Sequence, residues 1–219
     1  MNRTNPLSEV RRRYDEFAPV YVETWSHLEG YSHLVSGFLE RVVKPGCRVL
    51  DVGCGPGHLT SGLPSDVEVV GLDLSEKMIE RAYVARPGGT YRIHNYYEPC
   101  PAELGQFDVV AAVGALDFCE DIDLVLRHLA NAAKPGGRLL INVIERRAGV
   151  EGHDAPRLPI SPERMPGVDL IFYSLPEMAS AVESAGLHGI RYVHYKGYHN
   201  QYHSLDIQYA MWELERPWA

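Results

Sequence analysis

The sequence lacks any apolar run long enough to span a membrane, and its N-terminus lacks the apolar core of a signal peptide. It also lacks a Cys-x-x-Cys pair, and its four cysteines have no metal-binding spacing. We therefore expect a cytoplasmic protein with free thiols, without a metal ion and without membrane contact. Positive charge is scarce as well: 21 Lys and Arg stand against 29 Asp and Glu, giving a formal net charge of −8. This balance disfavours a nucleic-acid partner.

Basic residues are missing altogether between Arg48 and Lys77. This base-free stretch contains the segment VLDVGCGPG at 49–57, in which an apolar run ends in an acid and three glycines follow at alternate positions. The pattern predicts a buried strand, a tight turn and a short helix over about 57–63. Glycine carries no Cβ, so a turn of this kind lets the backbone come close to a ligand.

A second apolar run, at 67–72, ends in Asp73, twenty residues after Gly53. An acid at that distance can hold a ribose hydroxyl pair. The glycine spacing differs from a dinucleotide fingerprint, because His58 stands where the third glycine would be. A diphosphate is best served by a basic group near the turn, although helix amides alone can hold one. A nucleoside that carries a positively charged sulfonium group fits an acidic, base-free loop better.

These residues resemble motif I and the following acid of class I S-adenosylmethionine-dependent methyltransferases. Two further segments resemble the same family: the Tyr-Asp…Ala…Tyr pattern at 14–21, and the Phe-Asp…Pro-Gly-Gly-x-Leu pattern at 107–139. The resemblance covers about residues 14–213. It implies an enzyme that uses S-adenosylmethionine as its cofactor and releases S-adenosylhomocysteine.

The order of the expected elements predicts the fold. Strands at about 47–52, 67–73, 90–94, 107–113 and 138–144 alternate with helices, which argues for a parallel sheet with helices on both faces. Two closing strands, at about 189–195 and 204–212, are expected to pair antiparallel. We therefore predict an α/β fold with a Rossmann-like, seven-stranded, mostly parallel sheet, an antiparallel final strand and one domain over 1–219.

Two segments outside this sheet have a role only through the resemblance. It implies that 1–45 forms an N-terminal helical lid, with a helix over about 7–23 that Pro19 kinks or divides. Residues 146–174 show no periodicity and are rich in proline and glycine, so no regular element is expected there. The family places its substrate-covering insertion at this point of the chain.

Ligands of open α/β sheets bind beyond the carboxyl ends of the strands, and this rule selects the residues after the first four strands. With the resemblance, it predicts a cofactor site made of Asp51, Gly53, Gly55, Gly57, Asp73, Leu74, Asn95, Tyr96 and Gly114, with Tyr14 and Tyr21 from the lid. The family usually has aspartate at the Asn95 position, to bind the adenine amino group. Asparagine keeps the carbonyl acceptor without the charge. The two lid tyrosines would alternatively pack the helix on the core.

Three residues are candidates for catalysis or substrate binding: Tyr31, Asp117 and Lys196. Methyl transfer depends mainly on positioning, and it needs a base only when the nucleophile carries a proton. Asp117 would orient the substrate or act as that base, and the alternative is a helix-capping or solvent-facing carboxylate. Lys196 and nearby tyrosine hydroxyls would form a wall for an anionic substrate, and the alternative is a plain hairpin connection.

The sequence thus predicts methyl transfer to a small polar metabolite, with an oxygen nucleophile (hydroxyl, carboxylate or phosphonate) ahead of an amine nitrogen. A NAD-dependent oxidoreductase and a non-catalytic cofactor-binding module are the alternatives. Nucleic-acid methylation is not expected, because the Asn-Pro-Pro-aromatic signature of amino-methylating DNA enzymes is absent after the fourth strand. The oligomeric state stays open.

Overall fold

The computed structural model describes residues 5–25, 31–161, 163 and 165–218. The N-terminal segment begins with helix α1 (Leu7–Phe17), which a 3-10 turn (Ala18–Val20) separates from the short helix α2 (Tyr21–Trp25). Pro19 lies in the separating turn, so the predicted division of this helix is confirmed. Helix α3 (Tyr31–Val42) then leads to the sheet.

Five parallel strands form the centre of the sheet: β1 (Arg48–Val52), β2 (Glu68–Asp73), β3 (Thr90–Ile93), β4 (Phe107–Ala112) and β5 (Ala133–Glu145). They are ordered β3-β2-β1-β4-β5. The last strand, β9 (Leu205–Glu215), pairs antiparallel with β5, and β8 (His188–Asn200) pairs antiparallel with β9. The predicted Rossmann-like sheet with its antiparallel final strand is thereby confirmed.

The insertion at 146–174 adds two strands that the sequence did not predict. Strand β7 (Asp169–Tyr173) continues the sheet beside the end of β5, and β6 (Arg157–Pro159) pairs antiparallel with β7. Strands of three and five residues are too short to show an alternation of polar and apolar residues. The expectation of an irregular segment was wrong here.

The start of the insertion is held by a buried histidine. His153 is 1% exposed, and its ring nitrogens lie 2.8 Å from the carbonyl oxygen of Glu145 and 2.9 Å from that of Asp206. These contacts join the insertion to the end of β5 and to the start of β9. These contacts therefore fix the position of the insertion at the carboxyl end of the sheet.

Three further helices complete the layers: α4 (Glu76–Ala85), α5 (Ile122–Ala132) and α6 (Leu175–Ser184). Helices α5 and α6 pack on one face of the sheet in the larger core cluster. On the other face, α3 buries Val35, Phe38 and Leu39 against β1, β2, β4 and β5. Each apolar side chain of this size contributes about 1.5–3 kcal/mol when buried. The predicted helices on both faces are present.

One predicted helix does not form. Residues 57–63 are a series of tight turns closed by the bonds Thr60 N to Gly57 O, Ser61 N to Gly57 O and Leu63 N to Thr60 O. Gly57 has φ +77°, outside the helical region, and Pro64 follows directly. The residues between Gly57 and Pro64 are too few to form a regular helix, so the predicted helix over 57–63 was wrong.

Candidate active site

A cavity of about 70 Å³, here called the inner cavity, opens beyond the carboxyl ends of β1, β2 and β4. All but two of the predicted cofactor residues line it: Tyr14, Tyr21, Gly53, Gly55, Asp73, Leu74, Asn95, Tyr96 and Gly114. The exceptions are Asp51 and Gly57. Parallel strands bring their carboxyl ends to one edge, so residues far apart in sequence meet there.

The glycine turn forms the floor of the inner cavity. Gly53 and Gly55 have φ of +70° and +52°, and the amides of Gly53 and Cys54 donate to the carbonyl oxygen of Leu72. A Cβ on Gly53 would lie 2.2 Å from the Cβ of Ala115, whereas a Cβ on Gly55 would meet nothing within 4 Å. The turn therefore leaves open space above Gly55 for a ligand to approach the backbone.

Gly57 has a different role from the one predicted. A Cβ there would lie 3.3 Å from Ala82 of α4, so this glycine faces a helix, and it is not among the residues that line the inner cavity. Its contact lets α4 approach the turn. The position supports the shape of the site without touching the cavity.

Asp73 ends β2 with its carboxylate in the cavity wall. Oδ2 accepts a hydrogen bond from the Gly55 amide and Oδ1 accepts one from the Ser75 amide, both at 2.8 Å. Burial raises the pKa of Asp73 to about 6, and these two amides oppose the rise. The carboxylate thus ties the glycine turn to the start of α4.

Asp51 ends β1 directly below the turn. It is 1% exposed, and its Oδ2 has no hydrogen-bond partner. Burial, and then the nearby charge of Asp73, raise the pKa of Asp51 to about 7. A buried carboxylate oxygen without a partner is costly, and a cationic ligand group would compensate it. No Lys or Arg is among the described residues that line the inner cavity.

The residues after β3 form the far wall. Asn95 Oδ1 accepts a hydrogen bond from the amide of Tyr97 at 3.1 Å, which holds the side chain at the cavity edge. The ring of Tyr96 also lines the cavity and meets the ring of Tyr97 edge to face, with centroids 4.8 Å apart. An aromatic face and an amide therefore lie where the resemblance places adenine.

The N-terminal helix is fastened over the cavity by Asp15, which the sequence did not single out. Its Oδ1 accepts hydrogen bonds from Ser75 Oγ at 2.6 Å and from the Lys77 amide at 3.2 Å. Ser75 caps α4 through a bond from the Met78 amide, as its sequence position predicts. The pattern at 14–21 includes Asp15 but does not indicate its partners, because they are about sixty residues further along the chain.

Asp117 lies just after β4 with a buried carboxyl group. Oδ2 accepts a hydrogen bond from the Tyr209 hydroxyl at 2.6 Å, and Oδ1 is buried without a partner. Burial raises the pKa of Asp117 to about 6, and the Tyr209 bond opposes the rise. The helix-capping alternative belongs to another residue, since Asp121 caps α5 through the Leu124 amide.

Tyrosines of the closing strands surround this carboxyl group, and the sequence reading missed their role. Tyr195 stacks on Tyr209 with ring centroids 5.6 Å apart and an interplanar angle of 18°. Asn142 donates through Nδ2 to the Tyr195 hydroxyl at 2.8 Å, and its Oδ1 accepts from the Gly114 amide at 2.7 Å. Tyr195 and Tyr209 face each other across the β8–β9 ladder, a pairing that depends on strand register.

Tyr31 is brought to the side of the glycine turn. Its hydroxyl lies 3.2 Å from His58 Nε2, and the ring of Tyr21 lies 6.2 Å from the same imidazole. Burial lowers the pKa of His58, which favours the neutral ring. Tyr31, Tyr21 and His58 therefore form an uncharged aromatic group beside the turn.

Lys196 is not brought to the site. Its ammonium pairs with Asp206 at 2.9 Å in an exposed ion pair across the hairpin, and it is absent from the linings of both cavities described here. Successive side chains of a strand point to opposite faces, so the neighbour of Tyr195 turns away from it. The geometry gives no support to the predicted wall for an anionic substrate.

A second cavity of about 540 Å³, here called the outer cavity, lies between α1, the insertion and the β8–β9 hairpin. It shares two wall residues with the inner cavity, Tyr14 and Phe118. Their rings meet edge to face with centroids 6.2 Å apart. The two cavities are therefore neighbours separated by a pair of aromatic rings.

Among the described residues, no group of three or more His, Cys, Asp or Glu side chains is placed to hold a metal ion. Within the same residues, no helix has both the length and the apolar character needed to cross a membrane.

Known proteins resemble this chain in sequence. A family described as a methyltransferase domain matches residues 50–141. The 27-O-demethylrifamycin SV methyltransferase of Amycolatopsis mediterranei is 30% identical over 184 residues, which cover 72% of this chain and 66% of that protein. A ubiquinone biosynthesis O-methyltransferase of Xanthomonas campestris is 31% identical over 111 residues, which cover 48% of this chain and 46% of the relative. The chain spans about half the length of the ubiquinone biosynthesis relatives that it matches.

Solved structures share the fold at lower identity. The [4+2]-cyclase SpnF superimposes with a TM-score of 0.76 at 18% identity, over 99% of this chain and 98% of that one. Magnesium protoporphyrin IX methyltransferase from Synechocystis, solved with bound S-adenosylhomocysteine, gives 0.69 at 18% identity, over 96% and 99% of the two chains. These structures show the shared fold. The matching domain and the 30% identical relative from Amycolatopsis mediterranei show that the chain belongs to the class I S-adenosylmethionine-dependent methyltransferase family.

Proposed function

We propose that the protein transfers the methyl group of S-adenosylmethionine to a hydroxyl oxygen of a small molecule, with Asp117 as the proton acceptor. The observation that carries the proposal is the buried, unpartnered Oδ1 of Asp117. Asp117 directly precedes Phe118 of the ring pair, and its charge acts on the hydroxyl of Tyr14, the other member of that pair. A carboxyl group with a pKa of about 6 is mostly ionised at neutral pH and can take a proton.

The residues around the inner cavity fit this cofactor. When bound, S-adenosylmethionine supplies a methyl group on a sulfonium that already carries positive charge. In the proposal, Asp73 receives the ribose hydroxyls, and the unpartnered oxygen of Asp51 receives the ammonium group of the methionine part. Asn95 and Tyr96 hold the adenine, while Tyr14 and Tyr21 cover the site. Gly114, Leu74 and the turn glycines complete the walls.

Several residues near Asp117 position the reacting groups and exclude water. Tyr209 holds the Asp117 carboxylate in place through its hydroxyl, and Asn142 fixes the stacked Tyr195 ring. A positioned general base of this kind contributes about 10²- to 10⁴-fold to the rate. The ring pair of Tyr14 and Phe118 limits the access of water to the reacting atoms.

A hydroxyl acceptor fits this site better than a carboxylate or a phosphonate. An anionic acceptor needs no base, and the negative charge of Asp117 would repel it. The one lysine proposed to bind an anion is engaged on the exposed hairpin face. The ubiquinone biosynthesis relatives are named as O-methyltransferases, which agrees with transfer to oxygen.

The test is the substitution Asp117→Asn, which keeps the shape and removes the proton acceptor. We expect kcat to fall at least a hundredfold, while the Kd for S-adenosylhomocysteine changes less than about twofold, as measured by calorimetry. Asp123→Asn, at an exposed position of α5, is the matched control. An Asp117→Asn enzyme with full kcat would disprove the assignment of the base.

A further inference from the structure

We infer that the methyl acceptor is a bulky, ring-bearing compound without negative charge, whose body occupies the outer cavity while its hydroxyl reaches Asp117. The inference rests on the proposed function and specifies its substrate class. Three features of the outer cavity carry it: its volume, its aromatic walls and its charge.

The first feature is volume. The outer cavity, at about 540 Å³, is larger than the inner cavity of about 70 Å³. Cavities that hold drug-sized ligands measure roughly 300–1,000 Å³. An acceptor with one small ring would leave most of the outer cavity filled with water, so its surface would remain largely solvated. The volume instead matches a body of several fused or linked rings.

The second feature is the character of the walls. Five aromatic side chains line the outer cavity from three separate segments: Tyr14 and Phe17 from α1, Phe118 after β4, and Tyr198 and Tyr202 from the hairpin. Apolar side chains of the insertion, Ile160 and Met165, close the remaining side. Aromatic rings on several sides favour flat apolar ligands, which gain from stacked and edge-to-face contacts.

The third feature is charge. The inner side of the site carries the carboxyl groups of Asp51, which is buried, and of Asp73 and Asp117, which are half-buried. The outer cavity adds one guanidinium group, Arg13, which lies over the Phe17 ring at 4.8 Å, and one carboxylate, Glu163. The same lining includes the imidazole of His199, which pairs with Asp206. The described residues of the two linings therefore place no net positive charge near Asp117, so an acceptor carrying a carboxylate or phosphate close to its reactive hydroxyl is disfavoured.

The experiment measures binding first and transfer second. The probes are catechol, 2,3-dihydroxynaphthalene and a three-ring catechol flavonoid, each with an analogue that carries a carboxylate beside the diol. Their Kd values are measured by calorimetry on the full chain saturated with S-adenosylhomocysteine. We expect the Kd to fall at least tenfold from catechol to the flavonoid, and each carboxylated analogue to bind at least tenfold more weakly. Equal Kd values across the size series, or tighter binding of the acids, overturn the inference.

Two substitutions test whether the gain comes from the outer cavity. Ile160→Trp narrows it from the insertion and Gln201→Trp narrows it from the hairpin, while Val84→Trp, on a residue of α4 that is 81% exposed, is the control. We expect the first two to remove the flavonoid's advantage and leave catechol and S-adenosylhomocysteine binding unchanged. An advantage that survives in both variants also overturns the inference.

The same samples separate this inference from the proposed function. Formation of S-adenosylhomocysteine from S-adenosylmethionine is followed with each probe. Size-dependent binding without any methyl transfer to a hydroxyl would refute the proposed function and leave the acceptor class standing. Transfer to catechol and to the flavonoid with equal Kd and equal kcat/KM would refute the acceptor class alone.

Discussion

At the scale of single residues, the site is defined by three carboxyl groups that the fold withdraws from water. Asp51, Asp73 and Asp117 come from three different strand ends, and burial is the main cause of the raised pKa of each. Each is restrained differently: Asp73 accepts two amide hydrogen bonds, Asp117 accepts one tyrosine hydroxyl, and Asp51 Oδ2 accepts none. These different partners fit the two proposed roles, in which Asp51 faces a cation and Asp117 accepts a proton.

Tyr209 provides the first prediction, because its hydroxyl lowers the pKa of Asp117. Tyr209→Phe removes that bond, so the pKa of Asp117 rises further above its usual value. Activity that needs the ionised carboxylate is lost as the pH falls through this pKa. We therefore expect the acidic limb of the pH profile of kcat to move to higher pH, by about half a unit or more.

The control for this change is Tyr192→Phe, because Tyr192 also donates to a buried carboxylate, that of Glu145, but outside the site. The acidic limb of the pH profile of kcat should not move in the Tyr192→Phe variant. If both variants lose activity equally at all pH values, Tyr209 only supports the fold.

Gly53 provides the second prediction. An alanine there must adopt a φ near +70° and place its Cβ 2.2 Å from that of Ala115. We expect Gly53→Ala to lower the free energy of unfolding by about 2 kcal/mol or more and to weaken cofactor binding at least tenfold. Urea unfolding and calorimetry measure the two effects.

Gly62→Ala is the matched glycine control, since its Cβ would meet nothing within 4 Å and its φ is not positive. We expect it to change the unfolding free energy by about 0.5 kcal/mol or less. A Gly53→Ala protein as stable and as tightly binding as Gly62→Ala would contradict the role given to the turn.

At the scale of elements, the N-terminal helix and the insertion reach the site through a few long-range contacts. Asp15 fastens α1 to the first turn of α4. Asn5 donates to the carbonyl oxygens of Phe118 and Asp169, and its Oδ1 accepts from the Asp169 amide. The N-terminal segment and the insertion are thus joined to each other as well as to the sheet.

The contact of Asp15 leads to the third prediction. Asp15→Ala removes the acceptor for Ser75 Oγ and the Lys77 amide, which should cost about 1 kcal/mol and loosen α1. We expect faster amide hydrogen exchange in 7–17 and a severalfold weaker Kd for S-adenosylhomocysteine. Glu16→Ala, whose partner Arg12 is exposed, should leave both unchanged. Identical exchange rates in the two variants would argue against the fastening role.

The elements themselves were largely predictable. Alternating apolar strands and amphipathic helices such as α5, with its stripe of Ile122, Val125 and Leu129, follow from local patterns. The short strands β6 and β7 were missed, because they form only where the end of β5 offers an unpaired edge. The prediction of a helix at 57–63 was wrong, because Gly57 adopts a positive φ that does not fit a helix.

At the scale of the whole molecule, the buried carboxyl groups predict how stability depends on pH. Their folded pKa values, about 7 for Asp51 and about 6 for Asp73 and Asp117, lie above those of the unfolded chain. Between pH 8 and pH 5.5 the folded state therefore binds more protons than the unfolded state, and stability rises as the pH falls. We expect the unliganded protein to gain on the order of 2 kcal/mol, measured by urea unfolding at the two pH values.

The double variant Asp51→Asn/Asp117→Asn should lose most of this pH dependence, whereas Asp123→Asn should keep it. Greater stability at pH 8 than at pH 5.5 would show that these carboxyl groups are not desolvated. Bound cofactor should increase the stability more at pH 8 than at pH 5.5, because the proposed ammonium partner favours the ionised form of Asp51.

The sequence by itself determined the family, the sheet and the cofactor edge, because these depend on local features: a glycine turn, apolar strands and acids at strand ends. Only the tertiary structure decided which side chains surround the carboxyl group of Asp117. Strand register and helix docking decide three contacts: the hydrogen bond of Tyr209 to Asp117, the hydrogen bond of Ser75 to Asp15, and the exposed ion pair of Lys196. Such contacts join residues tens of positions apart, and no short-range periodicity records them.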